Sequence, residues 1–568
     1  MRHLLVSALL LALASCQHSA RQPTPEDGSW DSFVESYLER HFAANPSEAV
    51  AAGRHEWDGK LPDWSKEGLA REIARLKAEK ARALAFPEAK LDARQKFERE
   101  YLVSVTDGRL FWIEGAELPY RDPSFYAGVI DPNVYVTRLY APVETRARAF
   151  ARYAASLPAA LGQVRANIRL PLARPLLEQG KLVYSGLASY VGKDALEAFK
   201  DVKDEQLQAE LKRSASAASA SLKQFADWLE TERARSTTKF PLGRDRFQRM
   251  LMDTERVGIP VNIVEKAGRA DLERNLSALK EICKTYAPGL SLKQCVSKEE
   301  SNKPKDPPVL AARKQLSELK TWLEGADLVS IPGTEEATVE ESPPYMRWNF
   351  AYIDIPGPYE KGLKSIYYIS PPDPKWPKKE QEAYIPGEGN LLNTSVHEVW
   401  PGHFLQFLHA NRSRSKFSRV FVSYAFAEGW AHYVEELAIE AGIRGGHPEA
   451  RIGQILGALE RDVRLLSAIG LHTGKMTQAQ SEKLFREKGL MDPGSAKQQA
   501  ARGTFDPAYL NYTMGKLMIR KLRDDWCASR GGRSCWRRFH DEFLSYGGPP
   551  IPLARAAMMG ASDAGPLF

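Results

Sequence analysis

The 568-residue sequence predicts a mainly helical fold with a small β-sheet, of the α+β class, and three observations carry that reading. Apolar residues recur at three-and-four spacing through much of the first half of the chain and again through its last third. Between these stretches the period shortens toward two in a few segments rich in β-branched and aromatic residues, set among Gly and Pro clusters. A short apolar run followed by a polar tether sets the first 29 positions apart from the fold.

The chain opens on Met1, Arg2 and His3, runs through apolar Leu4 to Ala14, and reaches Cys16 by way of Leu13-Ala14-Ser15. A basic start, a greasy core and small residues make an export signal. The core is about a dozen residues, short of the roughly 20 that cross a bilayer, so it reads as removed rather than retained. Leu13-Ala14-Ser15-Cys16 resembles the bacterial lipobox, which implies a signal peptide at 1–15 and lipid on Cys16; the other reading is an ordinary signal cut near Ala20. Gln17 stands where an aspartate would imply inner-membrane retention, so the expectation is an outer-membrane anchor facing the periplasm. Residues 16–29, with Pro23, Pro25 and Gly28, read as a tether.

A helical region is expected over 30–296. Trp30, Phe33, Val34, Tyr37, Leu38 and Phe42 share one helical face, and Leu69 to Leu84 and Phe97 to Phe111 repeat the pattern. Proline-containing breaks at Pro119 to Pro132 and Pro158 to Pro175 separate further helices, among them Asp194 to Ser214 and Ser221 to Arg235. The Ser-Ala run joining those two lacks Gly and Pro, so it reads as a helix with a small-residue packing face rather than a linker. Residues 297–309, Lys- and Pro-rich, read as a loop or boundary. The last region, 310–568, holds a helix at Ala311 to Leu323, strand signals at Thr338 to Glu341, Tyr345 to Ile353 and Ser365 to Ile369, a helix starting near Asn393, and further helices.

With 79 basic and 72 acidic residues the formal charge is a mild +7. Long basic tracts interleaved with aromatics are missing, so nucleic acid is not an expected partner. Apart from Cys16, the cysteines form two close pairs, Cys283 with Cys295 and Cys527 with Cys535. Neither pair has the short gap of a zinc knuckle, and an exported chain meets an oxidising compartment, so two local disulfides are preferred over a four-cysteine metal site.

The chemistry concentrates in Thr394-Ser395-Val396-His397-Glu398-Val399-Trp400-Pro401-Gly402-His403. A zinc peptidase needs neutral imidazoles, an open coordination position for water, and a carboxylate that takes the water's proton. The common arrangement places two histidines four apart on one helix face. Here they are six apart, which on a straight helix is ~600°, or ~240° of net rotation, so the rings would diverge. Pro401-Gly402 supplies the remedy, a non-α break at Trp400 to Gly402 that turns His403 back. Spacing alone is weak evidence: His55-Glu56 is a second His-Glu pair without a partner histidine nearby. The next helix, Val422 to Ala441, adds Glu428 within Tyr-Ala-Phe-Ala-Glu-Gly-Trp-Ala, a setting where a merely solvated carboxylate is unusual. Gly429 beside it allows close helix approach.

His-Glu-x-x-Pro-Gly-His followed by Glu-Gly-Trp-Ala-x-Tyr-x-Glu resembles the bacterial family of domain of unknown function 885, regarded as related to gluzincin metallopeptidases. Asn45-Pro46-Ser47-Glu48-Ala49 with Gly53 and Asp58, Gly470-Leu471-His472, Tyr512-Thr513-Met514-Gly515-Lys516 and Phe539-His540-Asp541 extend the resemblance over nearly all of the mature chain. It implies a multi-helix peptidase fold with a deep cleft, one zinc ion on His397, His403 and Glu428, and Glu398 as general base. Two departures, Ala468 for a common aspartate and Pro507-Ala508-Tyr509 for Pro-Gly-Gln, leave the implied zinc shell intact and bear on substrate range.

Tyr512 and His472 are the candidates for stabilising the oxyanion of peptide hydrolysis. Arg464 and Arg502 read as partners of core acids in preference to a substrate carboxylate, and His432, one turn beyond Glu428, is an alternative ligand. The expected activity is zinc-dependent hydrolysis of short peptides. The rivals are a non-catalytic peptide-binding or scaffold lipoprotein and a hydrolase of another amide or an ester, such as a cell-wall peptide stem.

Overall fold

Ser29 accepts a hydrogen bond from the Ser32 amide and so starts the first helix, Trp30–Ala44, whose Trp30, Phe33, Tyr37, Leu38 and Phe42 are buried as the apolar stripe requires. The structure, a computed structural model, describes residues 28–343, 346–347, 350–560 and 565–568. The export signal, Cys16 and nearly all of the tether lie outside the described residues. Among those described, no helix is long and apolar enough to cross a membrane.

The N-terminal helices follow the periodicity. Lys66–Ala85 and Ala93–Leu110 form where expected, the second started by a capping box of Asp92 and Gln95. The Ser-Ala run lies inside one helix, Glu205–Glu232, with Ala215 and Ala218 buried. Its small side chains admit the turn at Tyr190–Asp194, where a Cβ on Gly192 would stand 2.6 Å from Ser219 Oγ. Pro158 does not interrupt its helix, as the proline pattern suggested. Val143–Asn167 runs through it, anchored by buried Phe150, Leu157 and Leu161, and the break comes only after Asn167.

The 297–309 loop and boundary is corrected in two ways. A capping box of Ser291 and Gln294 starts the helix Leu292–Ser301, in which Cys295, Val296 and Glu299 are buried, so only residues 302–307 are open before the helix Pro308–Ala326. Nor do the hydrophobic cores part there. Leu272, Leu276 and Leu279 of the helix Val261–Tyr286 share a core with Leu459, Val463 and Leu465 of the helix Pro448–His472, whereas a separate core is built from residues between Val50 and Leu229. A lysine-rich surface stretch reports local solvation and not which helices pack together.

The sheet has three strands, β1 (Ala337–Glu341), β2 (Ala351–Asp354) and β3 (Ser365–Ile369), in the order β1-β3-β2. β1 runs parallel to β3 with Ala337 opposite Ser365, and β2 antiparallel with Ala351 opposite Ile369. The sheet packs beside the helices Pro308–Ala326 and Glu388–Glu398. That last helix begins five residues before the expected Asn393, because Gly387 and Gly389 let the chain pass against buried Glu299, where a Cβ on either would stand within 2.9 Å of its Oε1. Both predicted disulfides form, Cys283–Cys295 with Cα atoms 5.9 Å apart and Cys527–Cys535 at 5.7 Å.

The second His-Glu pair has a structural use. His55 stacks on Tyr140 with ring centroids 3.5 Å apart, and its nitrogens meet Asp58 at 3.0 Å and Glu360 at 3.3 Å, tying the N-terminal helices to the segment before β3. Burial opposes its charging, but the two carboxylates outweigh burial and lift it from 6.5 to about 9. The folded state therefore holds the proton more tightly than the unfolded chain, and this stabilisation is full below pH 6.5 and lost as pH rises through about 9. His55→Gln should lower Tm by a few degrees at pH 6, and the difference should close above pH 9 to 10 in paired thermal melts. A gap that persists unchanged at pH 10 would contradict the ionic account.

Candidate metal centre

Two helices and the turn between them deliver the histidines. His397 lies in the last turn of Glu388–Glu398, which ends because Val399 leaves helical torsions (φ −124°, ψ −76°) and Pro401 has no amide to continue the ladder. The Trp400–Pro401 bond is cis, and Gly402 sits where any Cβ would collide with the His397 carbonyl. His403 then opens a new helix, His403–Ala410. Trp430 Nε1 donates to the Pro401 carbonyl at 2.9 Å and fixes the turn from the facing helix. The expected break at Trp400 to Gly402 is present, and the two imidazoles stand with ring centroids 4.8 Å apart, nearly perpendicular at 87°.

The facing helix, Tyr424–Glu440, begins at Ser423, whose side chain accepts from the Phe426 amide. It brings Glu428 Oε2 to 3.4 Å from His397 Nε2 and 3.5 Å from His403 Nε2. All three ligand atoms lie within 4.8 Å of one another. Close approach at this level depends on Gly429: a Cβ there would be 2.6 Å from Gly515 Cα on the helix Asn511–Ala528.

The cluster fits a zinc ion by a test independent of sequence. Glu428 Oε2 is buried without a hydrogen-bond partner, an arrangement that costs about 1–3 kcal/mol unless something else satisfies it. Donors ~2.0–2.1 Å from one ion at tetrahedral angles stand ~3.4 Å apart; both His-to-Glu428 distances match this, while the three donors as a set lie within 4.8 Å. Two imidazoles and one carboxylate are also a common catalytic zinc donor set, leaving a position open.

Behind the ligands is a layer that orients them. Glu435, on the Glu428 helix seven residues on, accepts from His397 Nδ1 at 2.6 Å, Arg461 at 3.1 Å and Asn393 at 3.1 Å, and meets His432 Nδ1 at 3.3 Å. A carboxylate on Nδ1 makes that nitrogen the donor and leaves Nε2 with its lone pair toward the cluster. Burial works against the charge of Glu435, yet Arg461 and His432 hold its carboxyl well below the usual range. For Glu428, too, burial is opposed and overcome, by His403 and His397. His397 is lifted to about 9: burial disfavours its charged form, and the neighbouring carboxylates of Glu428 and Glu435 more than offset that.

Glu398, next to His397, is half-buried, and its charge reaches Tyr367 of β3, whose hydroxyl is pushed up by burial and by that charge. Tyr512 stacks near His397, with centroids 6.4 Å apart, inside a ring of three guanidinium groups: Arg464 at 4.9 Å, Arg461 at 5.7 Å and Arg502 at 5.9 Å from its ring. Arg464 pairs with Glu460 and Arg502 with Asp506, the core-acid partners expected of them.

Two candidates stand apart from the cluster. His472 donates from Nε2 to the Gly503 carbonyl at 2.8 Å and accepts from the Leu242 amide on Nδ1 at 3.4 Å. Packed against Phe240 and Phe247, and kept neutral by burial with its pKa lowered to about 4, it joins two backbone segments and has no nitrogen left for a substrate oxygen. His432 stays behind the ligands, bound to Glu435 and held neutral by burial and the Lys516 charge. Sequence reasoning gave no role to Glu435, Arg461 or Asn393. Glu435 carried a signal, since seven residues from Glu428 is the same helix face; Arg461, on another helix, carried none.

Comparisons with known proteins agree on the fold and are silent on activity. The family model described as a bacterial protein of unknown function (DUF885) matches residues 46–558. No curated protein matches the chain. Two solved structures share the fold. One, described as a lipoprotein of unknown function from Shewanella oneidensis, is 22% identical with a TM-score of 0.78, covering 93% of this chain and 99% of its own. The other, described as a lipoprotein from Colwellia psychrerythraea, is 16% identical with a TM-score of 0.78, over 93% of this chain and 98% of its own.

Proposed function

The chain belongs to the DUF885 family of bacterial proteins, and from that membership and the His397, His403 and Glu428 cluster we propose that it is a zinc-dependent peptidase of the bacterial envelope, acting on short peptides. The observation that carries the reading is Glu428 Oε2, buried, unbonded and nearly equidistant from two imidazole nitrogens whose own spacing along the chain required a helix break. The order of donors, two histidines about a glutamate base and a glutamate on the next helix, is that of the gluzincins.

His397, His403 and Glu428 hold the metal in this reading, and zinc bound there would supply Lewis acidity, polarising a carbonyl and making water acidic near neutral pH. Glu398 takes the proton of the attacking water and passes it to the leaving amine. Tyr512 donates its hydroxyl hydrogen to the developing oxyanion; burial and the Glu428 charge raise its pKa, so it stays protonated and able to donate. Glu435 fixes the His397 tautomer, and Arg461 balances the Glu435 charge.

The envelope location rests on the Leu13-Ala14-Ser15-Cys16 run, on relatives of like fold described as lipoproteins, and on two disulfides, which persist in oxidising compartments. In that reading lipid on Cys16 anchors the protein, with the outer membrane facing the periplasm the expected site.

Metal analysis of the purified protein, coupled to digestion of a short-peptide library, tests the proposal. About one zinc per chain and chelator-sensitive cleavage are expected. A protein that binds zinc and cleaves no peptide would move the reading to another amide, such as a cell-wall peptide stem, or to a binding protein; one that binds no metal would overturn it. Glu435→Gln should weaken zinc binding about 10–100-fold in competition with a chromogenic chelator, because the histidine it orients loses basicity and direction. Unchanged affinity would mean Glu435 has only a packing role.

A further inference from the structure

A cavity of about 940 Å³ opens between the N-terminal helices and the region that carries the metal cluster. Its apolar wall includes Leu69, Trp112, Ile113 and Phe125 on one side and Tyr424 and Phe505 on the other. The volume is that of a small-molecule site. Its position relative to the metal cluster follows from helix geometry: Tyr424 precedes Glu428 by four residues on the helix Tyr424–Glu440, so wall and ligand occupy the same face about 6 Å apart along the axis. Tyr512 bridges them, its ring 5.8 Å from Tyr424 and 6.4 Å from His397.

The charges around the cavity are mutually satisfied. Arg109 pairs with Glu48, Arg75 with Glu72, Arg71 with Asp63, and Asp506 with Arg502, so no uncompensated charge awaits a charged side chain. Apolar walls with no spare charge select an apolar group.

We propose that this cavity is the specificity pocket of the site and takes a large apolar side chain of a peptide, one or two residues from the bond presented to His397, His403 and Glu428. An extended peptide advances about 3.3 Å per residue, which sets that offset against the ~6 Å between Tyr424 and Glu428. The proposal rests on the peptidase reading for the reacting bond, and its test reads binding so that the two fail separately.

Zinc-loaded Glu398→Gln protein, which holds peptide without turning it over, is titrated calorimetrically with the tripeptides Phe-Leu-Phe and Gly-Gly-Gly. The expected result is at least tenfold tighter binding of Phe-Leu-Phe, and loss of that preference when Ile113→Trp fills the cavity, with zinc content and thermal melt unchanged. Val129→Trp, at the same wall, serves if Ile113→Trp does not fold. Equal affinities, no binding of either peptide, or a preference that survives both fillings would overturn the pocket. Wild-type protein that cleaves peptides without apolar preference would also sink the pocket while the peptidase reading stands. Tight, preference-bearing binding with no hydrolysis by the wild type would do the reverse.

Discussion

Glu398→Gln is expected to keep stoichiometric zinc and lose peptide hydrolysis by about 10²–10⁴-fold, the range for removal of a general base. The substitution is nearly isosteric, and Glu398 belongs neither to the three-donor cluster nor to the Glu435 network, so metal affinity has no reason to fall. What changes is proton transfer. A carboxylate takes a proton from water and returns it to the leaving amine, whereas the amide oxygen of glutamine is far too weak a base. Glu398 closes the helix that carries His397, and its charge is felt by Tyr367 across the boundary with the sheet, which places it at the rim and not in the sealed core. Zinc content by elemental analysis and initial rates on a cleaved library peptide measure the two halves of the expectation. Turnover within tenfold of wild type would remove Glu398 from the mechanism.

Glu428→Gln and His403→Ala should behave in the opposite way, losing metal first. Each deletes one of three donors, a loss expected to exceed the ~100-fold that an orienting residue such as Glu435 contributes. Ligand-linked stability offers a readout independent of catalysis. Zinc at a free concentration about 100 times its Kd stabilises a folded protein by about 2.7 kcal/mol, and a variant weakened 100-fold retains little of that. The zinc-induced rise in Tm seen in the wild type should therefore nearly vanish in both variants. The zinc-free proteins should remain folded, since the first core, which surrounds Val396, Trp400 and Trp430, does not rest on these side chains. Either variant retaining one zinc per chain after dialysis against a weak chelator would exclude that residue as a ligand.

Much of the fold was legible because its causes are local. The stripe from Trp30 to Phe42, the β3 segment Ser365–Ile369 and the helix Tyr424–Glu440 each follow from the period of apolar residues and a nearby cap. Errors came where a distant contact overruled a local cue. Pro158 is carried inside a helix by its buried face, and the Lys-rich start of the 297–309 stretch stays helical because Val296 and Glu299 are buried in the protein.

The candidate site divides along the same line. The sequence by itself determined the cysteine pairing and the need for a break if His397 and His403 are to meet, since six residues on a straight helix turn two side chains about 120° apart. Only the tertiary structure decided that the break turns His403 toward Glu428, that Glu435, Arg461 and Asn393 converge behind His397, and that His472 is spent on a backbone contact with Gly503. The physical reason is range. Torsional preference and amphipathic period act within a few residues, whereas the meeting of Glu435 with His397 and Arg461 depends on three helices crossing at one point, and a further contact, Gly429 against Gly515, lets the helix Asn511–Ala528 close on the one that carries Glu428 and Glu435.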